Sequence, residues 1–338
     1  MVLGLKDIAR KANVSLATVS KALRGRDDVS EETRQRVLAV ADEMKYRPNL
    51  LVRGIQTGRT GNIGLMIPMG SDPFFALIMR GIHDEICKHD IVPMVQCVYR
   101  NQDGSWRGPS EVEVIHRLVD RRVDGIIIVP TEDEASDDYL HEIRDHCLPF
   151  VAIDRQLPNC HLADFVGSDD SMIGQLAAKH LLAMGHNSIA HIAGPGFAST
   201  ARQRRTGFEQ EIQQATVAYT AIEEPSFTTC GKATHEMLED TMPSAVFCAN
   251  DHLASSLYGI VAQKGLIPGK DIAILGVGDL PFAANMSPTL SSIRQFPREI
   301  GAKAAQLLLG KINQPPDERT CSSYFIPPKL VVRASTSR

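Results

Sequence analysis

From residue 62 onward, short apolar runs alternate with stretches of helical periodicity, and that alternation constrains this 338-residue chain more than any other feature. The runs are NIGLMIP (62–68), IVPMVQCV (91–98), VDGIIIVP (123–130), PFVAID (149–154), SIAHIAG (188–194), AVFCAND (245–251) and DIAILGVGD (271–279). Between them, 74–89, 171–184, 200–214, 252–264 and 298–311 space their apolar residues as helices do. Strands alternating with helices build parallel sheets covered on both faces. About 270 residues exceed one such sheet, so two α/β lobes are predicted.

Ligands in open parallel sheets bind beyond the carboxyl ends of the strands. The residues there are SDPFF (71–75), Asp154-Arg155, GPGFASTAR (194–202), Asn250-Asp251 and Gly278-Asp279. Aromatic faces, carboxylates, an amide and an arginine gathered in one cleft suit a polyhydroxylated ligand, stacking on its C–H faces and bonding its hydroxyls. Plainer roles stand beside this one. Asp72 and Asp251 are equally placed to cap the helices that follow, Asp251 more so, and Phe75 is equally suited to core packing.

The first 60 residues have the opposite charge balance to the rest. They hold 12 Lys/Arg against 7 Asp/Glu, a net of +5, on a body of net −9. A basic segment on an acidic body points to separate partners, the first a polyanion, although a run of solvated basic residues gives the same count. Three helical patterns lie here. Leu5, Ile8, Ala9 and Ala12 form one apolar stripe, and Asn13-Val14 breaks it. Ser15 can cap a second helix by accepting from the backbone of Thr18 or its neighbour, and Gly25 suits its stop. A third starts at Ser30, with Glu31 and Glu32 at its positive end, and Pro48 prevents it from running on. Two short helices and a longer brace form a helix-turn-helix, whose second helix enters the DNA major groove. The outer face of that helix carries Leu16, Ala17 and Lys21: small or apolar contacts for base edges and a donor for guanine. A three-helix cap on an enzyme would share the pattern.

LKDIARKANVSLATVSKALRG, followed by VSEETRQRVLAVADEMKYRPNLLVRGIQTGRTGNIGL, resembles the N-terminus of lactose-repressor/galactose-repressor family transcription regulators. The likeness extends to IPPKLVVRAST near the C-terminus, similar to a closing strand of that family. It implies an α/β chain with a three-helix DNA-binding domain (1–47), a hinge helix or linker (48–60), and a two-lobed periplasmic-binding-protein-like effector and dimerisation domain (61–338). By position it implies that Leu16, Ala17 and Lys21 read operator bases and that Lys6, Ser15, Thr18 and Ser20 contact or support the DNA backbone. In the hinge, Ile55 stands where the family has a leucine wedge, preceded by Gly54, which weakens a helix by about 1 kcal/mol relative to alanine. Effector contacts implied by position are Asp72, Phe74, Phe75, Asp154, Arg202, Phe227, Asn250 and Asp279. The family often shows two aspartates after the strand that here ends in GVGD, and Gly278 replaces the first. The loss of that carboxylate beside Arg202 favours a sugar acid or phosphorylated sugar over a neutral hexose.

Other functions fit less well. GPGFAS has Ser199 where a dinucleotide fingerprint needs its third glycine or alanine. No P-loop, no GxSxG and no metal-ligand cluster occurs, so neither an enzyme nor a cofactor is expected. Seven scattered cysteines without CxxC suggest neither disulfides nor zinc. An exported solute receptor would share the body, but the start MVLGLKDIARKA lacks a signal-peptide core, and no apolar run is long enough to span a membrane. The expectation is a cytoplasmic repressor, a homodimer on palindromic operator DNA, with no further heptad segment after ASTSR for a coiled-coil tetramer.

Overall fold

A computed structural model describes residues 4–23, 28–46, 58–68, 72–99, 107–131, 136–157 and 163–337. The chain divides into two units, Met1–Thr60 and Gly61–Arg338. In the first, α1 (Leu5–Ala12), α2 (Leu16–Leu23) and α3 (Glu31–Glu43) enclose a small core of Ile8, Ala12, Val19, Ala22, Val29, Val37 and Ala41. Asn13 ends α1 in the left-handed conformation at φ 54°, which asparagine tolerates better than most residues. Thr18 N–H donates to Ser15 Oγ at 3.0 Å, and Thr33 N–H to Ser30 Oγ at 3.4 Å, so both expected serine caps form. Arg24-Gly25, Pro48, and the hinge pair Gly54 and Ile55 lie outside the described residues.

The second unit holds two six-stranded sheets. The chain supplies β1 (Asn62–Pro68), α4 (Pro73–Ile86), β2 (Val92–Val98), α5 (Glu111–Asp120), β3 (Ile126–Ile128), α6 (Ser136–Asp145), β4 (Phe150–Ile153) and β5 (Asp164–Ser168) to lobe 1. It then builds lobe 2 from α7 (Asp170–Ala183), β6 (Ser188–Ala193), α8 (Ser199–Ile212), β7 (Ala218–Glu223), α9 (Lys232–Asp240), β8 (Ala245–Cys248), α10 (Asp251–Gln263), β9 (Ala273–Gly278) and β10 (Ser291–Arg294). It returns to lobe 1 as α11 (Pro297–Ile312) and β11 (Ser323–Ile326), and ends in lobe 2 as β12 (Lys329–Val331). The sheet orders are β11-β5-β4-β3-β1-β2 and β12-β10-β9-β8-β6-β7. All pairings are parallel except β10 with β12.

Alternation within strands sends side chains to opposite faces. In lobe 1, Ile63, Leu65 and Ile67 meet α4 and α11, while Met66 and Ile128 meet α5 and α6. In lobe 2, Ile189 and Phe247 meet α7 and α8, while Ile192 and Val246 meet α9 and α10. All seven apolar runs become strands. Four further strands were not read from the sequence. DFVGS (β5) and SSIR (β10) are short and rich in small or polar residues, AYTAIE (β7) is a half-exposed edge, and SYFI (β11) is mostly exposed.

The helices α7 and α8 cross closely. A Cβ at Gly174 would collide with the Arg204 carbonyl oxygen, and one at Gly207 with that of Ser171. This contact fixes how α8 is rotated, and it turns Thr200, Arg204 and Phe208 inward as an i, i+4, i+8 face.

His191 of β6 is fully buried, its ring 4.6 Å from that of Phe247 and 5.5 Å from that of Phe208. Neither ring nitrogen has a hydrogen-bond partner among the described residues. Burial, reinforced by the charges of Arg205 and Arg204, pushes its pKa down to about 3. The unfolded chain binds this proton near pH 6.5 and the fold refuses it, so stability falls as pH drops below about 6.5, by up to about 1.4 kcal/mol per unit. Urea melts of the parent and His191→Leu should therefore differ: the loss of stability from pH 7 to pH 5 should be about 2 kcal/mol smaller in the variant.

Candidate functional site

Two surfaces carry the chemistry. In the first unit, Leu16, Ala17 and Lys21 are exposed on α2 while Val19 and Ala22 of the same helix are buried. The outward face is therefore a low ridge ending in one cation. Lys6 and Ser15 are also exposed, and Thr18 and Ser20 are half-buried. Ser15 Oγ contacts Thr18 Oγ1 at 2.8 Å besides capping α2, so both hydroxyls fix the start of the ridge. Lys21 Nζ pairs with Asp28 Oδ2 at 2.5 Å.

The second surface is a cavity of about 180 Å³ between the carboxyl ends of the two sheets. Lobe 1 contributes Asp72, Phe74 and Phe75 from the start of α4, and Asp154 and Arg155 from the end of β4. Lobe 2 contributes Thr200 and Arg204 from α8, Phe227 and Thr228 after β7, Asn250 and His252 around the start of α10, Gly278 at the end of β9 and Leu280 beyond it. Gln295, on the crossing from β10 to α11, completes the wall.

Six of the eight expected effector residues line this cavity: Asp72, Phe74, Phe75, Asp154, Phe227 and Asn250. Several have a structural duty too. Asp72 Oδ1 accepts from Phe74 N–H at 2.9 Å, capping α4. Asn250 Oδ1 accepts from Leu253 N–H at 2.9 Å, while its Nδ2 donates to the Phe227 carbonyl at 2.8 Å. Phe74 is a buried core residue, and Phe75 stands edge-on to it at 5.5 Å.

Arg202 and Asp279 do not reach the cavity. Arg202 lies on the exposed face of α8 and donates to the Gly196 carbonyl at 2.7 Å. The arginine that faces inward is Arg204, two residues on, because a helix turns about 200° over two positions. The motif TARQRRTGF contains both, and the helical stripe Thr200, Arg204, Phe208 was the signal that separates them. Asp279 is held by Arg294 Nη2 at 2.5 Å and Arg333 Nη2 at 2.6 Å, tying β9 to β10 and the C-terminal segment.

Asp251 is not the cap of α10, since Asn250 is. Its buried carboxylate accepts from Ser292 Oγ at 2.6 Å and Leu280 N–H at 2.7 Å. Burial, opposed by those bonds, pushes its pKa up to about 6. Gly278 also has a backbone explanation. Its φ of 124° is strained for any L side chain, and a Cβ there would lie 3.3 Å from Leu280 Cγ and 3.4 Å from Asp251 Oδ2. With Arg202 outside the cavity and Gly278 required by the turn, the expectation of an anionic effector loses both of its supports.

The inward cations are each matched by a carboxylate. Arg204 Nε donates to Asp170 Oδ1 at 2.7 Å and its Nη1 to the Ala249 carbonyl at 2.6 Å. Arg155 stands beside Asp154, at 4.0 Å, and 5.6 Å over the Phe227 ring. Burial pushes the Asp154 carboxyl upward, and Arg155 and Arg204 oppose that shift. Arg155 and Thr200 lie in stretches read from the sequence as strand ends of the cleft but were not among the expected effector contacts, and Gln295, His252 and Thr228 were not singled out at all.

Among the described residues, no group of three or more His, Cys, Asp or Glu is arranged to hold a metal ion, and no helix is long and apolar enough to cross a membrane. Arg204→Ala would leave the Asp170 carboxyl without its partner in the interior, where burial already pushes its pKa up to about 7. Lobe 2 should lose about 3–5 kcal/mol by denaturant titration, whereas Arg202→Ala should change stability by less than about 0.5 kcal/mol.

The comparisons with known proteins follow the same division. The family model for bacterial regulatory proteins of the lacI family matches residues 4–49, and that for a periplasmic binding protein-like domain matches 178–336. The chain is 30% identical over 341 residues to the HTH-type transcriptional repressor PurR of Pasteurella multocida, covering 98% of each. Its fold matches a crystal structure of the Lac repressor dimer bound to operator and the anti-inducer ONPF at a TM-score of 0.86, with 25% identity and both chains fully covered. It also matches a LacI family transcriptional regulator from Enterococcus faecalis with bound ribose, at a TM-score of 0.70 and 30% identity, over 82% of this chain and 98% of the other.

Proposed function

The chain belongs to the lacI family of bacterial regulatory proteins, and from that premise we propose that it is a cytoplasmic repressor whose hold on palindromic operator DNA is set by a neutral, polyhydroxylated metabolite bound between its lobes. It is a DNA-binding transcriptional regulator; the operator, the effector class and the dimer are the finer reading. In that reading Leu16 and Ala17 make apolar contacts in the major groove and Lys21 donates to guanine, while Lys6, Ser15, Thr18 and Ser20 position the helix on the phosphates. A homodimer reads two half-sites in opposite directions, which makes the operator a palindrome.

The observation that carries the effector class is the pairing of charges around the cavity. Arg204 with Asp170, Arg155 with Asp154 and His252 with Asp72 leave no surplus cation for an anionic group among the described residues that line it. The Phe227 and Phe75 rings, the Thr200 and Thr228 hydroxyls and the Gln295 amide suit C–H faces and hydroxyls instead. The ribose in the Enterococcus faecalis relative supports a sugar. Dimerisation is supported by the outer edge of the lobe 1 sheet among the described residues, where β2 exposes Val92 and Val95 at 57% and 38%. Open strand edges with apolar side chains are usually covered by a partner.

Three measurements test this. Binding-site selection with Lys21→Ala should relax preference at one symmetric base pair, worth about 1–3 kcal/mol per half-site, whereas an unchanged consensus would remove Lys21 as a base reader. Calorimetry with D-ribose, neutral hexoses and their phosphate esters should find binding among the neutral sugars, weakened at least tenfold in Phe227→Ala; binding confined to the esters would sink the neutral class. Light scattering should find Val95→Asp shifted from dimer toward monomer.

A further inference from the structure

Asp72 and His252 belong to different lobes, yet they meet at the wall of the cavity. Asp72 precedes α4 of lobe 1, and His252 is the second residue of α10 in lobe 2. His252 Nε2 lies 3.3 Å from Asp72 Oδ1, an ion-pair contact without hydrogen-bond geometry, and both side chains are three-quarters buried. Other contacts bridge the lobes nearby, but they do not titrate near neutral pH. Gln156 N–H donates to Ser199 Oγ at 2.9 Å, Gln203 Nε2 donates to Gln156 Oε1 at 2.7 Å, and Ser168 Oγ donates to the Gln295 carbonyl at 3.1 Å.

We propose that Asp72 and His252 are a closing pair for the cleft, a proton-dependent contact that draws the lobes together when the imidazole is charged. The proposal rests on reading this cleft as the effector site, and it adds a control that the effector contacts do not supply. The surroundings of His252 support it. Asp72 faces it from α4, and Asp251 of its own helix lies behind it with both oxygens engaged. The uncharged Phe282 ring packs at 5.3 Å. Across the cavity, Asp154, Arg155 and Arg204 are occupied with one another and with Asp170. The Asp72 contact, working against burial, raises the His252 pKa above its ordinary value, so the closed cleft takes up a proton that the open cleft holds less tightly. Closure therefore strengthens as pH falls through the neutral range. An open cleft separates the pair and exposes both groups to water. Because Asp72 Oδ1 also caps α4, the same carboxylate orders the helix start that carries Phe74 and Phe75, and closure is coupled to the aromatic wall.

The test uses the full chain without effector, with a donor and an acceptor dye carried by unnatural amino acids at Arg117 of α5 and Glu236 of α9, both exposed on the outer helices of the lobes. Energy transfer then reads the closed-to-open ratio. That ratio should rise about two- to five-fold in the parent from pH 8 to pH 6, the range expected for an ion pair that water still reaches. Asp72→Asn, which keeps the capping oxygen, and His252→Gln should both abolish the response. His252→Lys, charged throughout, should hold the closed population at pH 8. A flat parent, or a pH response surviving in both neutral variants, overturns the proposal. The reading needs neither operator nor sugar, so it stands or falls separately from the repressor assignment.

Discussion

Three short crossings of the chain hold the second unit together, after Ser168, after Arg294 and after Ile326. Each lobe is incomplete without what a crossing returns to it. Lobe 1 buries Ile300, Ala304 and Leu308 of α11 beneath its sheet, and lobe 2 takes β12 as its antiparallel edge. A hydrogen bond from Ser168 to the Gln295 backbone ties two crossings to each other, and the Gln295 side chain forms part of the cavity wall. The candidate cavity and the crossings thus share a residue.

The electrostatics of the cleft follow from its depth. An isolated charge there is costly, so the arginines are accepted only with partners: Arg204 with Asp170 and a carbonyl, Arg155 with Asp154 and an aromatic face. This makes the cavity polar in shape and close to neutral in charge. A buried pair of that kind adds little net stability, but it specifies geometry, because removing either member leaves the other stranded. The His252 pair differs in joining one lobe to the other, so that on separation water would take up both groups and neither would be stranded.

The DNA-facing unit shows the opposite economy. Its core is seven small or medium apolar residues, and its outer ridge is left nearly bare of charge. A helix that was merely solvated would gain from Glu and Lys at Leu16 and Ala17. Leaving them apolar gives up surface solubility and is consistent with the proposed approach to base edges.

Much of this was legible in the residues themselves. Periodicity located three N-terminal helices, seven strands and five of the larger helices, because spacing of apolar side chains is a local property. The serine caps were legible for the same reason: the Ser15 and Ser30 hydroxyls bond within three residues. Strands such as DFVGS and SSIR escaped because central positions in a sheet are filled by small residues when a helix or another chain segment presses close. Which arginine faces the cavity was decided by tertiary structure. Gly174 and Gly207 set the rotation of α8, which buries Arg204 and exposes Arg202. The same holds for Asp279, drawn away by Arg294 and Arg333 from elements 15 and 54 residues further on. A sequence determines which side chains a helix or strand can offer, through local periodicity and capping. Which of them a site receives is set by long-range packing, because only contacts between distant segments fix an element's rotation and each charge's partner.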